Sequence, residues 1–229
     1  MNLGHVTPHK SEGITEYTLL TPEQTVNRNA GLKLLIFDGD ATLEVPESKN
    51  EFSYYLLAGR GSLAFPKHVG QSRYTIDPDT AMWIPAGKKH MIINKGEGPF
   101  RCLSAHCRTR PRHAANGRAR ILNLSHSQIH NLVGFISRTI FSPELLAISG
   151  ASRTIGVDFE TLTPHSTLDS HEHEEEILYM LRGRGFVKIG GKELQVRPGS
   201  TVYTPPHIIH SVHNTEDDNF QYLVYEFSP

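Results

Sequence analysis

One sequence frame occurs twice in this chain of 229 residues. Residues 79–94 and residues 199–214 each carry a Pro, a His five positions later, and an Asn four positions after that His. Upstream of each copy, a short apolar run begins with Tyr and ends at a glycine, Gly59 in the first copy and Gly183 in the second. Self-similarity of this kind is typical of a repeated structural unit. The sequence therefore predicts two units of the same design in tandem.

The segments around these frames have the pattern of short strands. Apolar runs such as residues 32–37, 62–65 and 91–93 alternate with Gly, Pro and Asp, and no long helical period separates them. Several short strands at such spacing indicate an antiparallel sandwich or barrel. The predicted fold class is all-β, with two tandem barrels.

A cluster of histidine and glutamate precedes the second copy of the frame. His171 and His173 are two positions apart, Glu176 follows them, and His210 belongs to the repeated frame. Alternate residues of a strand face the same side, so His171 and His173 can direct two imidazoles at one point. Three imidazoles and one carboxylate suit Mn, Fe, Ni, Co or Zn, and we predict one divalent transition metal here.

These residues resemble the two motifs of the cupin superfamily. The second family motif is Gly, five residues, Pro-x-Gly, two residues, His, three residues, Asn. The chain meets it at Gly199, Pro205, His210 and Asn214, with His207 where the motif has the glycine of Pro-x-Gly. The resemblance implies a bicupin: two double-stranded β-helix, or jelly-roll, barrels joined by a short, partly helical linker.

The first family motif is met less closely. It reads Gly, five residues, His-x-His, three or four residues, Glu, six residues, Gly. In this chain His165 stands at the leading Gly position, and only two residues separate His173 from Glu176. A second registration therefore stays open, in which Asp169 and His171 are the paired ligands. It restores the family spacing and exchanges one imidazole for a carboxylate.

The ligand set is typical of a catalytic site. Four protein ligands on a metal that prefers six positions leave two open for substrate or O₂. His207 lies next to the ligand turn, and we predict that it acts as a general acid or base, because the pKa of an unperturbed imidazole lies near neutrality.

The first copy lacks this donor set. Alignment on the glycines places Glu47, Lys49 and Phe52 opposite His171, His173 and Glu176, in that order. A protonated lysine and a phenylalanine cannot ligate a metal, which leaves only His90 of the set. We predict a degenerate, metal-free first barrel, with a weaker site built from Glu47 or Glu51 as the open alternative.

The predicted domains are an irregular arm (residues 1–30), the first barrel (31–107), a linker (108–150) and the second barrel (151–229). The linker opens with a basic segment, residues 108–113, which is read either as an anion or nucleic-acid site or as a solvated connector. The net charge of −1 favours the connector. One short helix is expected after Ser125, where capping-box spacing precedes apolar residues at helical intervals.

Whole-chain properties limit the partners. The near-zero net charge gives no reason to expect nucleic acid. No apolar run is long enough for a membrane span, and the first residues lack the pattern of a signal peptide. Cys102 and Cys107, five positions apart on one strand, would face opposite sides and pair poorly. We expect a cytoplasmic protein with a small-molecule substrate.

The resemblance to cupins implies several possible activities. The first choice is a metal-dependent enzyme acting on a small polar or anionic metabolite in the second barrel, most simply an oxygenase. The alternatives are an isomerase or lyase with the same metal, a hydrolase similar to ureidoglycine aminohydrolases, and a binding cupin without turnover. Those aminohydrolases are similar in organisation but use a Glu, two His and a Gln as ligands. Because bicupins tend to pair, a homodimer is expected.

Overall fold

The computed structural model describes residues 6–66, 71–96, 98–108, 117–151 and 155–227. Within these ranges almost all regular structure is β-strand, and the chain forms two tandem barrels as predicted. The exceptions are two single 3-10 turns (Pro22–Gln24 and Leu124–His126) and one short helix, α1 (Pro143–Ile148). In the described part of the chain no helix is long and apolar enough to cross a membrane.

The first barrel consists of two antiparallel sheets. The larger has the strand order β1-β2-β3-β10-β5-β8-β11, and the smaller has the order β4-β9-β6-β7. Their strands are β1 (His9–Ser11), β2 (Ile14–Leu20), β3 (Ala30–Phe37), β4 (Thr42–Val45), β5 (Asn50–Ala58), β6 (Gly61–Pro66), β7 (Gln71–Ile76), β8 (Thr80–Ile84), β9 (His90–Asn94), β10 (Phe100–Arg108) and β11 (Arg120–Asn123).

The second barrel repeats this plan. Its larger sheet has the strand order β12-β13-β14-β21-β16-β19, and its smaller sheet has the order β15-β20-β17-β18. Their strands are β12 (Gln128–Leu132), β13 (Phe135–Phe141), β14 (Ile155–Leu162), β15 (Thr167–His171), β16 (Glu175–Arg182), β17 (Gly185–Ile189), β18 (Lys192–Val196), β19 (Thr201–Thr204), β20 (His210–His213) and β21 (Phe220–Phe227).

The asparagine of the repeated frame has the same role in both barrels. The side-chain amide of Asn94 donates to the carbonyls of Asp38 and Gly98, and that of Asn214 donates to those of Thr163 and Asp218. Both side chains are buried. Each amide joins two loops through their backbone carbonyls, which explains why the asparagine recurs in both copies of the frame.

The two larger sheets pack against each other and share one hydrophobic core. Leu34 and Trp83 from the first barrel belong to the same buried cluster as Leu223 and Tyr225 from the second. Each barrel also has a separate interior cluster. Cys102 and Cys107 are buried free thiols on opposite faces of β10, one in the interior of the first barrel and one in the shared core.

The predicted irregular arm is partly wrong. β2 pairs with β3 and β1 pairs with β2, so both strands extend the larger sheet of the first barrel. The segment that follows β2 is irregular and contains the 3-10 turn Pro22–Gln24. The seven residues of β2, which mix polar and apolar types, give too short a signal to separate it from a loop.

The linker also differs from its prediction. The apolar residues after Ser125 form the β12–β13 hairpin, because Gly134 adopts a left-handed φ of 76° that turns the chain back. Helix α1 follows this hairpin, capped by the Ser142 hydroxyl, which accepts from the Leu145 N–H. The second barrel therefore begins at β12 and not at residue 151. Most of the basic segment lies outside the described residues.

Candidate metal centre

Four predicted ligands come together from the two sheets of the second barrel. His171 ends β15 and lies directly opposite His210, which begins β20. Their ring centroids are 4.3 Å apart, and the ring of His173 lies 4.8 Å from His171 and 6.0 Å from His210. Glu176 enters from β16 of the facing sheet. Its Oε2 lies 3.1 Å from Nε2 of His210, and its Oε1 lies 3.9 Å from Nε2 of His173.

Backbone carbonyls set the tautomer of two of these imidazoles. Nδ1 of His171 lies 2.6 Å from the Asp169 carbonyl oxygen, and Nδ1 of His210 lies 3.0 Å from that of Ile208. A carbonyl can only accept, so each Nδ1 carries the hydrogen and donates it. In this tautomer Nε2 is the ligating nitrogen, as in histidines that bind metals; Nε2 of His210 would first have to give up the proton that it shares with Glu176.

The donor types of these four side chains suit a divalent transition metal. The side chains do not, however, surround one common point. Imidazoles that share one ion at about 2.1 Å have ring centroids roughly 4 to 6 Å apart, which matches the three separations. Among the described residues no group of three or more His, Cys, Asp or Glu is arranged so that it could hold a metal ion without rearrangement. Glu176 and His210 hydrogen-bond to each other, and these are two of the groups that would bind the cation.

The protonation of the cluster reflects that hydrogen bond. Burial lowers the pKa of His210, but its hydrogen bonds to Glu176 and to the Ile208 carbonyl outweigh burial, and the net pKa is raised. Burial lowers the pKa of His171. A cation would take the place of the proton between Glu176 and His210, so metal binding should release protons.

The four side chains line a cavity of about 510 Å³ inside the second barrel. Much of the wall is apolar, with contributions from Leu132, Val133, Phe135, Leu178 and Val224. Among the described residues that line it, none is Lys or Arg. A bound anion would therefore depend on the metal for its counter-charge.

Glu160 is a cavity residue that the sequence analysis did not identify. It lies on β14 opposite Tyr222 of β21, and both side chains line the cavity. Burial, together with the nearby carboxylates of Asp158 and Glu176, raises the pKa of Glu160 to about 8. The sequence does contain a signal for it. Alternate residues of β14 face the same side, so Glu160 lies on the same face as the buried Leu162.

His207 does not reach the cavity. It adopts a left-handed φ of 59°, its backbone N–H donates to the His173 carbonyl at 2.9 Å, and its side chain is exposed outside the cavity wall. Gly87, its counterpart in the first barrel, has a φ of 75°, which explains the glycine of the family motif. The predicted acid–base role of His207 would require its ring to turn inward.

The alternative ligand Asp169 also lines the cavity. It is exposed, and the contact it makes with His171 uses its backbone carbonyl. His173, with 44% of its side chain exposed, is the most accessible of the four clustered residues. Both registrations therefore place their ligands on the same cavity.

The conformation of His207 leads to a stability prediction. His207→Gly should change the free energy of unfolding by less than about 1 kcal/mol, because glycine adopts the left-handed region without strain and loses more chain entropy on folding. His207→Val should cost about 1 to 3 kcal/mol, because a β-branched residue resists this conformation. Urea unfolding of both variants would check this. Equal costs would show that the turn relaxes.

Glu175, the neighbour of Glu176, faces away from the cavity and is held by the N-terminal segment. Tyr203 donates to its Oε1 at 2.6 Å, and the Asn27 amide donates to its Oε2 at 3.1 Å. The Val26 N–H in turn donates to the Tyr203 hydroxyl oxygen at 2.8 Å. We call these contacts the arm clasp. It fixes the start of β16, and thereby the position of Glu176.

In the first barrel both ring nitrogens of His90 are in use. Nδ1 lies 3.0 Å from the Lys88 carbonyl oxygen, and Nε2 lies 2.8 Å from the Tyr54 hydroxyl. The rings of Phe52 and Phe65 pack beside it, at centroid distances of 5.5 and 6.4 Å. Phe52 stands where the second barrel has Glu176, so the first barrel is degenerate.

Comparisons with known proteins agree with this architecture. Residues 158–226 match the family described as Cupin domain. A solved structure of oxalate decarboxylase from Bacillus subtilis superposes on 99% of this chain and 76% of its own, with a TM-score of 0.81 and 12% identity. The family match lies within the second barrel, which is therefore similar to a cupin domain. At this identity, the likeness to the decarboxylase shows a shared bicupin fold.

Two curated relatives match shorter stretches of this bicupin. An uncharacterized protein of Methanocaldococcus jannaschii is 26% identical over 96 residues, which are 42% of the chain and 75% of that protein. The oxalate-binding protein of Thermotoga maritima is 33% identical over 64 residues, or 27% of the chain. The match covers 53% of the oxalate-binding protein, about half of its length.

Proposed function

We propose that the second barrel binds one divalent transition metal through His171, His173, Glu176 and His210, and uses it to act on a small carboxylate-bearing metabolite. The observation that carries this proposal is the convergence of these four side chains on one cavity of about 510 Å³. Two of the imidazoles are already in the tautomer that ligation needs. Manganese is the first metal to test, since one of the similar decarboxylase structures is described by its Mn(II) centers.

Within this proposal we favour a lyase over the oxygenase suggested by the sequence. The similar solved structures are a decarboxylase, and one curated relative binds oxalate. Both support a small acid as the ligand. Because the described cavity wall offers no Lys or Arg, the acid would attach to the metal through its carboxylate oxygens and place the rest against apolar side chains.

The residues of the cavity can serve a decarboxylation. A metal held by these four residues would supply a Lewis acid that positions the substrate and stabilises the negative charge developing on the fragment that remains. The bond between the carboxyl carbon and its neighbour breaks, carbon dioxide leaves, and the electron pair stays on the neighbouring carbon. Glu160, kept protonated by its raised pKa, donates its proton to that carbon and is reprotonated from solvent. The apolar wall excludes water that would compete for the site.

This assignment predicts a large effect of Glu160→Gln. The variant keeps the shape of the side chain and loses its transferable proton, so the turnover number should fall by roughly 100-fold or more with unchanged metal content. Steady-state rates with elemental analysis would check this. Asp169→Asn is the matched control and should keep both metal and rate. Loss of metal in Asp169→Asn would support the alternative registration instead.

The function itself can be tested on purified, metal-loaded protein. Oxalate and related small acids would be supplied, while carbon dioxide, O₂ uptake and ammonia are measured. Release of carbon dioxide without O₂ uptake supports the lyase. O₂ uptake would support the oxygenase, and ammonia from amide substrates would support the aminohydrolase. A protein that retains no divalent metal would overturn the proposal.

A non-catalytic binding protein is the second candidate. It is favoured by the relative from Thermotoga maritima, which is called an oxalate-binding protein. Saturable binding of oxalate by the metal-loaded chain, with no product after long incubation, would select it.

A further inference from the structure

A second cavity, of about 600 Å³, lies between the two barrels. Strands β5 and β10 of the first barrel and β16 and β21 of the second contribute to its wall, so we call it the inter-barrel cleft. Tyr55, Leu57 and Arg101 line one side, and Tyr179, Arg182 and Gln221 line the other. It shares none of its lining residues with the metal cavity.

The two halves of the cleft occupy equivalent places in the sequence repeat. Tyr55 and Tyr179 each stand four residues before the glycine that ends their strand. Asp79 and Gly199 begin the two copies of the repeated frame, and both have left-handed φ values, 64° and 83°. The cleft therefore lies where the two repeated units face each other. Comparing equivalent positions in its two halves shows how the units differ there.

The two halves differ in the acceptor that they offer to the tyrosine hydroxyl. In the first barrel the Tyr55 hydroxyl donates to Asp79 Oδ1 at 3.0 Å. In the second barrel glycine replaces that aspartate, and within the described residues the Tyr179 hydroxyl has no such acceptor. Burial raises the pKa of Tyr179, and the positive charge of Arg101 opposes this shift, so Arg101 lies near it across the cleft.

Both arginines of the cleft lack an ion-pair partner in the described part of the chain. Asp79 is the sole acidic residue among the described lining, and one of its oxygens already accepts from Tyr55. Two exposed guanidinium groups without an ion-pair partner in the described part of the chain, and one hydroxyl, therefore border a space of metabolite size. The rest of the wall, with Leu57, Phe159 and Leu181, is apolar.

We propose that the inter-barrel cleft binds a small organic anion, whose carboxylate or phosphate head lies between Arg101 and Arg182 and whose apolar body packs on Tyr179 and Phe159. A planar guanidinium holds such a head through paired hydrogen bonds. The site needs both repeats, so it gives the degenerate first barrel a role in ligand binding. It does not depend on the metal centre or on the reaction proposed for it.

Calorimetric titration of the full chain with benzoate, phenyl phosphate and inorganic phosphate would test the cleft. Arg101→Ala and Arg182→Ala should each weaken binding of at least one organic anion by about tenfold or more, because each removes a charged hydrogen-bonding group. Arg184→Ala is the matched control, since Arg184 is an exposed arginine outside the cleft. The affinity of this variant for the organic anions should stay within about twofold of that of the unchanged chain. The two organic probes separate a carboxylate from a phosphate preference.

Two further variants locate the bound anion in the cleft. His210→Ala should keep the binding, because the metal cavity is separate, and Tyr179→Phe should weaken it without changing the fold. Inorganic phosphate should bind more weakly than phenyl phosphate because it lacks the apolar body. Absence of millimolar binding for both organic anions, or equal weakening in Arg184→Ala and Arg182→Ala, would overturn the proposal.

Discussion

His210→Ala is expected to bind its divalent metal roughly 100-fold or more weakly than the unchanged chain. Loss of a residue that only orients a ligand costs 10–100-fold in metal affinity, and the loss of a ligand itself should cost at least as much. His210 is 2% exposed, with its Nε2 directed at Glu176, so removal also leaves a buried carboxylate without its partner. Elemental analysis after dialysis against a weak chelator would measure the effect.

The matched control is His90→Ala in the first barrel. His90 occupies the same place in the repeat and is equally buried, so this variant should lose stability. It should nevertheless keep its metal, because both nitrogens of His90 are used by Tyr54 and Lys88. Similar metal loss in the two variants would show that the site is not confined to the second barrel.

Trp83→Ala should lower the free energy of unfolding by about 3 to 5 kcal/mol, the usual cost of a large buried aromatic. Trp83 is 0% exposed and packs in the core that the two barrels share. Because that core joins them, urea unfolding should remain a single transition for the whole chain. Circular dichroism and fluorescence of buried tyrosines would follow the two halves together.

Trp83→Phe tests the same site more gently. In the described residues the indole N–H of Trp83 has no hydrogen-bond partner, so phenylalanine removes a buried polar group while it keeps most of the apolar contact. This variant should cost clearly less than Trp83→Ala. Two separate transitions, with only the first displaced by the substitutions, would contradict a shared core.

The sequence was sufficient for the architecture and for bringing His171, His173, Glu176 and His210 to one cavity, because both depend on spacing; that these residues bind a metal stays a prediction. The repeated frame predicts two similar barrels, and Asn94 and Asn214 show why its asparagine recurs. The pairing of His171 with His210 follows from two motifs that each place one histidine at a strand end. The predicted homodimer and cytoplasmic location stay predictions, since they concern the surroundings of the chain.

Other features depend on contacts that spacing does not encode. The apolar residues after Ser125 fit a helix as well as a hairpin, and pairing with β14 decides between them. Glu160 becomes a site residue only because β14 lies beside β21. His207 has the residue type of an acid or base, but its left-handed backbone turns it outward. The inter-barrel cleft exists only when the two halves have assembled.

The arm clasp has a consequence for how the polypeptide can be divided. Val26 and Asn27, which belong to the opening segment of the molecule, hold Tyr203 and Glu175, which lie 177 and 148 positions downstream. The two halves are therefore not structurally independent units. A fragment cut between the two halves would leave Glu175 without one of its partners. It would also expose an apolar face of the sheet and promote aggregation. Each half covers apolar surface of the other in the shared core, so we expect neither to remain soluble alone.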